Sequence, residues 1–191
     1  MYTYAAPQVD RVSFVSLVQT DVLHAEVVHT SQLRARVEQC LHSREPLAIV
    51  QAVSEYLPYL LGLYDCVQRD TILLRDDVHL TWRSMLVSSR FRLHGLLSEV
   101  CLMHMLYASS LRAEAATIVE ALGAYELGAH DRKACDDRMR VAIDLLCRAS
   151  GVCEYVATQL LPTYPAPPSK SAYPPELVSE GVQACSKLAM A

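Results

Sequence analysis

Seven cysteines and seven histidines are the residues of this chain best suited to nucleophilic or metal chemistry. Cys101 and His104, three apart in CLMH, share one face of a helix and offer two zinc-ligand atoms. A structural zinc site takes four ligands, and no second pair follows at matched spacing. Cys147 and Cys153, six apart, point to nearly opposite sides of a helix. A buried cysteine and a hydrogen-bonded histidine account for the same residues without a metal. The partners of a cysteine–histidine hydrolase meet only in space, so one sequence leaves that chemistry open. Yet no cysteine here stands in a glycine-rich or strand-to-helix turn that would expose a thiolate. There is no glycine-rich phosphate loop, G-x-S-x-G, H-E-x-x-H or paired-carboxylate signature. Asp76 with Asp77, and Asp136 with Asp137, read as turn and helix-surface acids. Arg83, Arg90 and Arg92 read as a solvated face or one that meets an acidic partner. The motifs call for no metal, no cofactor and no catalytic residue.

Composition narrows the class further. Hydrophobic residues make up 52% and charged ones 20% of 191 residues, which is the balance of a folded chain. Polar residues interrupt the apolar runs well short of the ~20 needed to span a bilayer. MYTYAAPQVDR lacks the basic start and apolar centre of a signal peptide. An odd, irregularly spaced set of cysteines reads as reduced and core-packing, as in the cytosol. A net charge of -4 argues against a general affinity for nucleic acid. Fourteen Arg against three Lys suits planar, bidentate contacts at a protein-facing surface, or a high-GC coding bias.

The elements that must position these residues are mainly helical. DRVSFVSLVQT alternates Val12, Phe14, Ser16 and Val18 against polar neighbours and reads as a strand within 10–23. TSQLRARVEQCLH and SREPLAIVQAVSEYLPYLLGLYDCVQ read as two helices over 30–68. Thr30 or Ser31 caps the first, while Ser43 caps the second, with Pro46 in its first turn and a kink at Pro58. Residues 70–84 alternate around Asp76 and Asp77 as an extended hairpin. Two long helices follow over 93–161. The first is apolar on more than one side and so is covered on more than one side. The second carries Ala142, Leu145, Leu146, Ala149, Val152, Cys153, Val156 and Leu160 on one face. PTYPAPPSKSAYPP, with six prolines, is a stiff linker over 162–175. PPELVSEGVQACSKLAMA then reads as a helix over 175–191, opened by Pro174, Pro175 and Glu176. Its stripe of Leu177, Val178, Val182, Cys185, Leu188 and Ala189 lacks an obvious partner. The whole is an antiparallel stack of long helices with a small β element near the N-terminus.

Several segments resemble the Bro domain ("BRO-one" domain) of Alix-like endosomal scaffolds. VHLTWRSML is similar to the family's tryptophan segment, with Trp82 at the tryptophan. GLLSEVCLMHMLYASSLRAEA resembles the segment in which an acid precedes V-L-F-N-x-A-A-L-x-S-x-x-A, and Glu99 takes the acid position. AIDLLCRASGVCEYV resembles x-A-A-G-x-F-x-Y-L, with Gly151 at the glycine. PPELVSEGVQACSKLAMA resembles the proline-led helix beginning near Pro175 that continues through Q-A-Q-E. Departures are His104 where asparagine is usual, Cys153 in place of an aromatic, and a halt at Ala191 before Q-A-Q-E.

The resemblance implies the N-terminal half of a curved, solenoid-like Bro-type body over residues 1–191. It implies a non-enzymatic adaptor in the endosomal sorting and multivesicular body pathway, cytoplasmic and peripheral to endosomes through its partners. The partner it implies is the C-terminal helix of an ESCRT-III subunit of the charged multivesicular body type, with much of the docking patch expected beyond Ala191. The exposed flank of the 138–160 helix is the part of that surface expected here. Two alternatives stay open: an enzyme or metal protein built on the Cys and His set, and a truncated product with little function of its own.

Overall fold

The computed structural model describes residues 7, 9, 12–19, 23–123, 132–164 and 172–190. Its described elements run α1 (Phe14–Leu17), α2 (His24–Ser43), α3 (Pro46–Gln68), β1 (His79–Arg83), β2 (Arg90–His94), α4 (Leu96–Gly123), α5 (Arg132–Tyr155) and α6 (Ser179–Met190). Each of the four longer helices packs on its sequence neighbour: α2 on α3, α3 on α4, α4 on α5, and α5 in turn on α6. The fold is mainly α with one small antiparallel sheet, as the periodicities predict.

The core runs along α4. Every residue from Ser98 to Met105 is buried, followed by Leu106, Ala108, Ser110 and Leu111. No single apolar stripe explains this; α3 covers one side and α5 the other. Burial of each large side chain here is worth about 1.5–3 kcal/mol, more than helix propensity supplies. α3 contributes Ile49, Ala52, Val53, Tyr56, Leu60 and Leu63 to this core. Among the described residues, α3 is the one helix that by length and composition is apolar enough to cross a membrane, and these side chains of it are buried in the protein. Pro58 lies exposed within α3, and the helix continues to Gln68.

Several sequence expectations change. Ser43, expected to cap the second helix, is the last residue of α2, and Glu45 precedes α3 with no side-chain cap. The predicted strand over 10–23 contains instead the one-turn helix α1; residues 10, 11 and 20–22 lie outside the described residues. Phe14 and Val18 are both buried, and a spacing of four satisfies a helical turn as well as an alternating strand. Extended pairing survives only as bridges, Val18 with Leu74 and Val9 with Trp82. α2 starts at His24, not at Thr30 or Ser31. Those two hydroxyls donate back to the carbonyls of Glu26 and Val27, at 2.7 and 3.0 Å, as mid-helix residues do.

The hairpin lies later than 70–84. Only β1 falls in that range, and its partner is RFRLH, in the register His79 with His94 through Arg83 with Arg90. Gly95, at φ 81°, separates β2 from α4, a left-handed conformation that glycine adopts without penalty. Lastly, Pro175 opens only a 3-10 turn, Pro175–Leu177; Val178 is extended and α6 begins at Ser179. Linker residues 165–171 and Ala191 lie outside the described residues.

The terminal stripe does have a partner. Leu177, Val182 and Ala189 are buried where α6 lies along α5, joined by Ser150 Oγ and Ser186 Oγ at 2.9 Å. Leu188 and Met190 stay exposed. Gly181 permits this path: a Cβ there would sit 2.1 Å from the carbonyl oxygen of Pro175. That neighbour is backbone and cannot swing aside. Gly181→Ala is therefore expected to lower stability by about 1–3 kcal/mol, read as a lower urea midpoint.

Candidate functional site

Two buried polar clusters fix the frame. On α4, Glu99 is fully buried and pairs with the equally buried Arg34 of α2. Tyr56 of α3 donates its hydroxyl to Glu99 Oε1 at 3.3 Å. Burial works against the Arg34 charge, but the adjacent Glu99 carboxylate outweighs it and holds Arg34 above its ordinary pKa. Burial drives the Tyr56 phenol well above its usual value, so it remains a donor. Glu99 Oε2 accepts no hydrogen bond among the described residues.

The second cluster ties the C-terminal segment to the hairpin. Glu176, fully buried, accepts from Ser84 Oγ at 2.8 and 2.9 Å and from the Met85 amide at 2.5 Å. Ser84 Oγ in turn accepts from the amides of Leu86 and Val87. Glu176 therefore orders the β1–β2 loop rather than complementing a helix N-terminus.

The sequence-predicted residues divide as follows. Trp82 is fully buried on β1, and its Nε1 finds no hydrogen-bond partner among the described residues. Glu99 is the acid of the first cluster. Pro175 is the first residue of the 3-10 turn, and its carbonyl is what Gly181 packs against. Gly151 is exposed, and a Cβ there would meet nothing within 4 Å, so close packing does not demand glycine at that point. Arg34, Tyr56 and Gly181 were not singled out from the sequence, and Glu176 was read only as an acid at a helix start. A charged residue on a helix reads as surface, and only the opposing carboxylate in space reveals Arg34 as core.

The cysteine and histidine pair of the sequence separates into structural roles. Burial pushes the Cys101 and Cys153 thiols up to about 12, which leaves them protonated and poorly nucleophilic. His104 donates Nδ1–H to the Val100 carbonyl at 2.7 Å and lies against the Tyr155 ring at 5.4 Å. Burial lowers its pKa, so the ring is neutral near pH 7. One further group of metal-ligand type is present, Asp77, His79 and His94 on the hairpin surface.

The exposed apolar surface lies on α5. In its first half only Ala142 is buried, while Met139, Val141 and Ile143 are 43, 51 and 52% exposed. Val119, near the end of α4 that leads into α5, is exposed too. Ion pairs border the apolar residues, Arg140 with Asp137 at 3.4 Å and Arg148 with Asp144 at 4.0 Å. Arg148 also donates to Tyr107 Oη at 2.6 Å, bracing α5 on α4. Met139 and Ile143, one turn apart, share a side of α5 while Val141 lies on the other; an exposed apolar pair at that spacing is of the kind a helix-binding surface presents.

Comparison with known proteins gives one relative to set beside this geometry. The chain is 28% identical over 181 residues to the pH-response regulator protein palC of Cryptococcus neoformans var. neoformans serotype D (strain B-3501A). The match covers 82% of this chain and 37% of that protein; this chain thus spans well under half of its relative's length. No protein-family profile matches the chain, and no solved structure matches it.

Two outcomes follow from the buried groups. Removing one partner of the first cluster, by Glu99→Ala or Arg34→Met, is expected to cost about 3–5 kcal/mol. The double variant Arg34→Met/Glu99→Leu should lose clearly less than the two single losses summed, as denaturant titration of all three will register. His104 sets a pH dependence. Its folded-state pKa lies below the unfolded value of 6.5, so above pH 6.5 it contributes no slope. Below that, the unfolded chain takes up a proton that the folded one resists, and stability falls as pH falls. Unfolding curves for wild type and His104→Phe between pH 7 and 5 should show a shallower decline in the variant.

Proposed function

We propose that this chain is a non-enzymatic adaptor of the Bro type, working in an ESCRT-linked pH-response pathway. The observation that carries this reading is its similarity to a pH-response regulator over most of its length. The Bro-like order of Trp82, Glu99, Gly151 and Pro175 supports it. In this reading the ligand is the amphipathic C-terminal helix of an ESCRT-III subunit. The exposed flank of α5, with Met139 and Ile143 one helical turn apart, offers the ligand's apolar face a place to dock. Residues beyond Ala191 in a longer protein would extend the surface. The protein acts in the cytoplasm and reaches endosomal membranes through its partners. Thiols held protonated by burial at Cys101 and Cys153 weigh against the alternative of a cysteine enzyme.

Fluorescence anisotropy of a labelled ESCRT-III C-terminal peptide tests the assignment. Saturable binding is expected, to this chain or to a version lengthened to match the relative. Met139→Asp/Ile143→Asp should weaken it at least tenfold, about 1.4 kcal/mol, with an unchanged melting temperature because both side chains are exposed. No saturable binding by either form would sink the reading.

A further inference from the structure

The geometry points to a divalent transition-metal site, of a type that suits zinc, on the solvent face of the β-hairpin at Asp77, His79 and His94. The sheet creates it. Val78 just before β1, Leu80 and Trp82 on β1 and Leu93 on β2 point inward, each fully or nearly fully buried. Their neighbours His79 and His94 therefore stand on the opposite face, directly across from each other in the register. The pair closes the end of the ladder, where the Gly95 amide donates to the Val78 carbonyl at 2.9 Å and holds the strand ends together. Asp76 Oδ1 accepts from the Asp77 amide at 2.8 Å, which fixes the backbone just before His79.

The donor atoms already converge. His79 Nδ1 and His94 Nδ1 lie 2.8 Å apart, and Asp77 Oδ2 is 3.8 Å from His94 Nδ1. The three ligand atoms all fall within 4.8 Å of one another. Two imidazole nitrogens at that distance cannot both present lone pairs or both present protons; one shared proton or one cation must lie between them. Tetrahedral zinc with bonds of about 2.0–2.2 Å needs ligand atoms roughly 3.3 Å apart, a spacing bracketed by those present. Two imidazoles and one carboxylate favour zinc or its transition-metal neighbours over calcium or magnesium, which prefer all-oxygen shells. Water would fill the fourth position on this exposed face. A bound ion would clamp the hairpin's open end at the point where β2 passes into α4. It would stabilise the fold by binding only the folded arrangement.

Isothermal titration of the whole chain with zinc tests this, read beside the melting temperature with and without the metal. One equivalent should bind wild type and raise its melting temperature. His79→Ala and His94→Ala should each lose that equivalent and the shift; Asp77→Asn should bind about tenfold more weakly or worse. His42→Ala, an exposed histidine elsewhere, should behave as wild type. All the substituted side chains are exposed, so unchanged helical circular dichroism is expected throughout. Cobalt substitution separates this site from the thiols, because cysteine ligation adds a charge-transfer absorption that imidazole and carboxylate do not. No binding by wild type overturns the site, with the shared proton then the link between the rings. So does binding that survives both histidine variants, or that carries the thiolate absorption.

Discussion

The buried pair of Arg34 and Glu99 is the constraint around which the helices are arranged. Taking a guanidinium and a carboxylate out of water costs several kcal/mol per ion, and only close, well-directed partners offset it. Arg34 belongs to α2, Glu99 to α4, and Tyr56, which donates to the same carboxylate oxygen, to the intervening α3. A hydrophobic contact between these helices would tolerate a slip of one turn; this arrangement does not. Sliding α2 by a turn, about 5.4 Å, would leave two buried charges without partners. The apolar residues around them, Val37, Val53, Leu102 and Met103, provide most of the driving force. The ion pair selects which of their possible packings is adopted.

Glu176 does the same work for the second half of the molecule. A buried carboxylate again meets donors from a distant element, here Ser84 and Met85 of the hairpin loop. The polar contact ties the 3-10 turn to the sheet, Gly181 lets α6 close over that turn, and α6 lies on α5. α6 lies on the second half of α5, and the first half of α5 carries the exposed Met139, Val141 and Ile143.

What the sequence reveals follows from the range of the interactions. The α5 face is legible because Ala142, Ala149, Cys153, Val156 and Leu160 repeat at helical spacing and each is buried. The double-sided character of α4 is legible for the same reason. β2 is hidden, because RFRLH is rich in arginine and only its pairing with HLTWR makes it a strand. The start of α2 is hidden because its N-cap position is Leu23, with no side-chain cap, while the better capping residues Thr30 and Ser31 sit about two turns inside. Pro174 and Pro175 look like a helix start, but the buried Glu176 holds that turn to the hairpin instead. Glu99 and Trp82 came into view through family resemblance; their partners, and the His79–His94 pairing, exist only across the fold.

The bond between Ser84 and Glu176 spans 92 positions of chain. At about 5–20 residues made per second, the carboxylate reaches its donors roughly 5–18 seconds after they have been synthesised. Until then the amide of Met85 and the hydroxyl proton of Ser84 lack the carboxylate they donate to. The hairpin loop is therefore among the last parts of the molecule to settle, although it belongs to its first half. During that interval Trp82 already has its bridge to Val9, but the loop beyond it lacks its carboxylate anchor. The order of synthesis thus leaves a first-half loop waiting for an anchor made near the C-terminal end of the described residues.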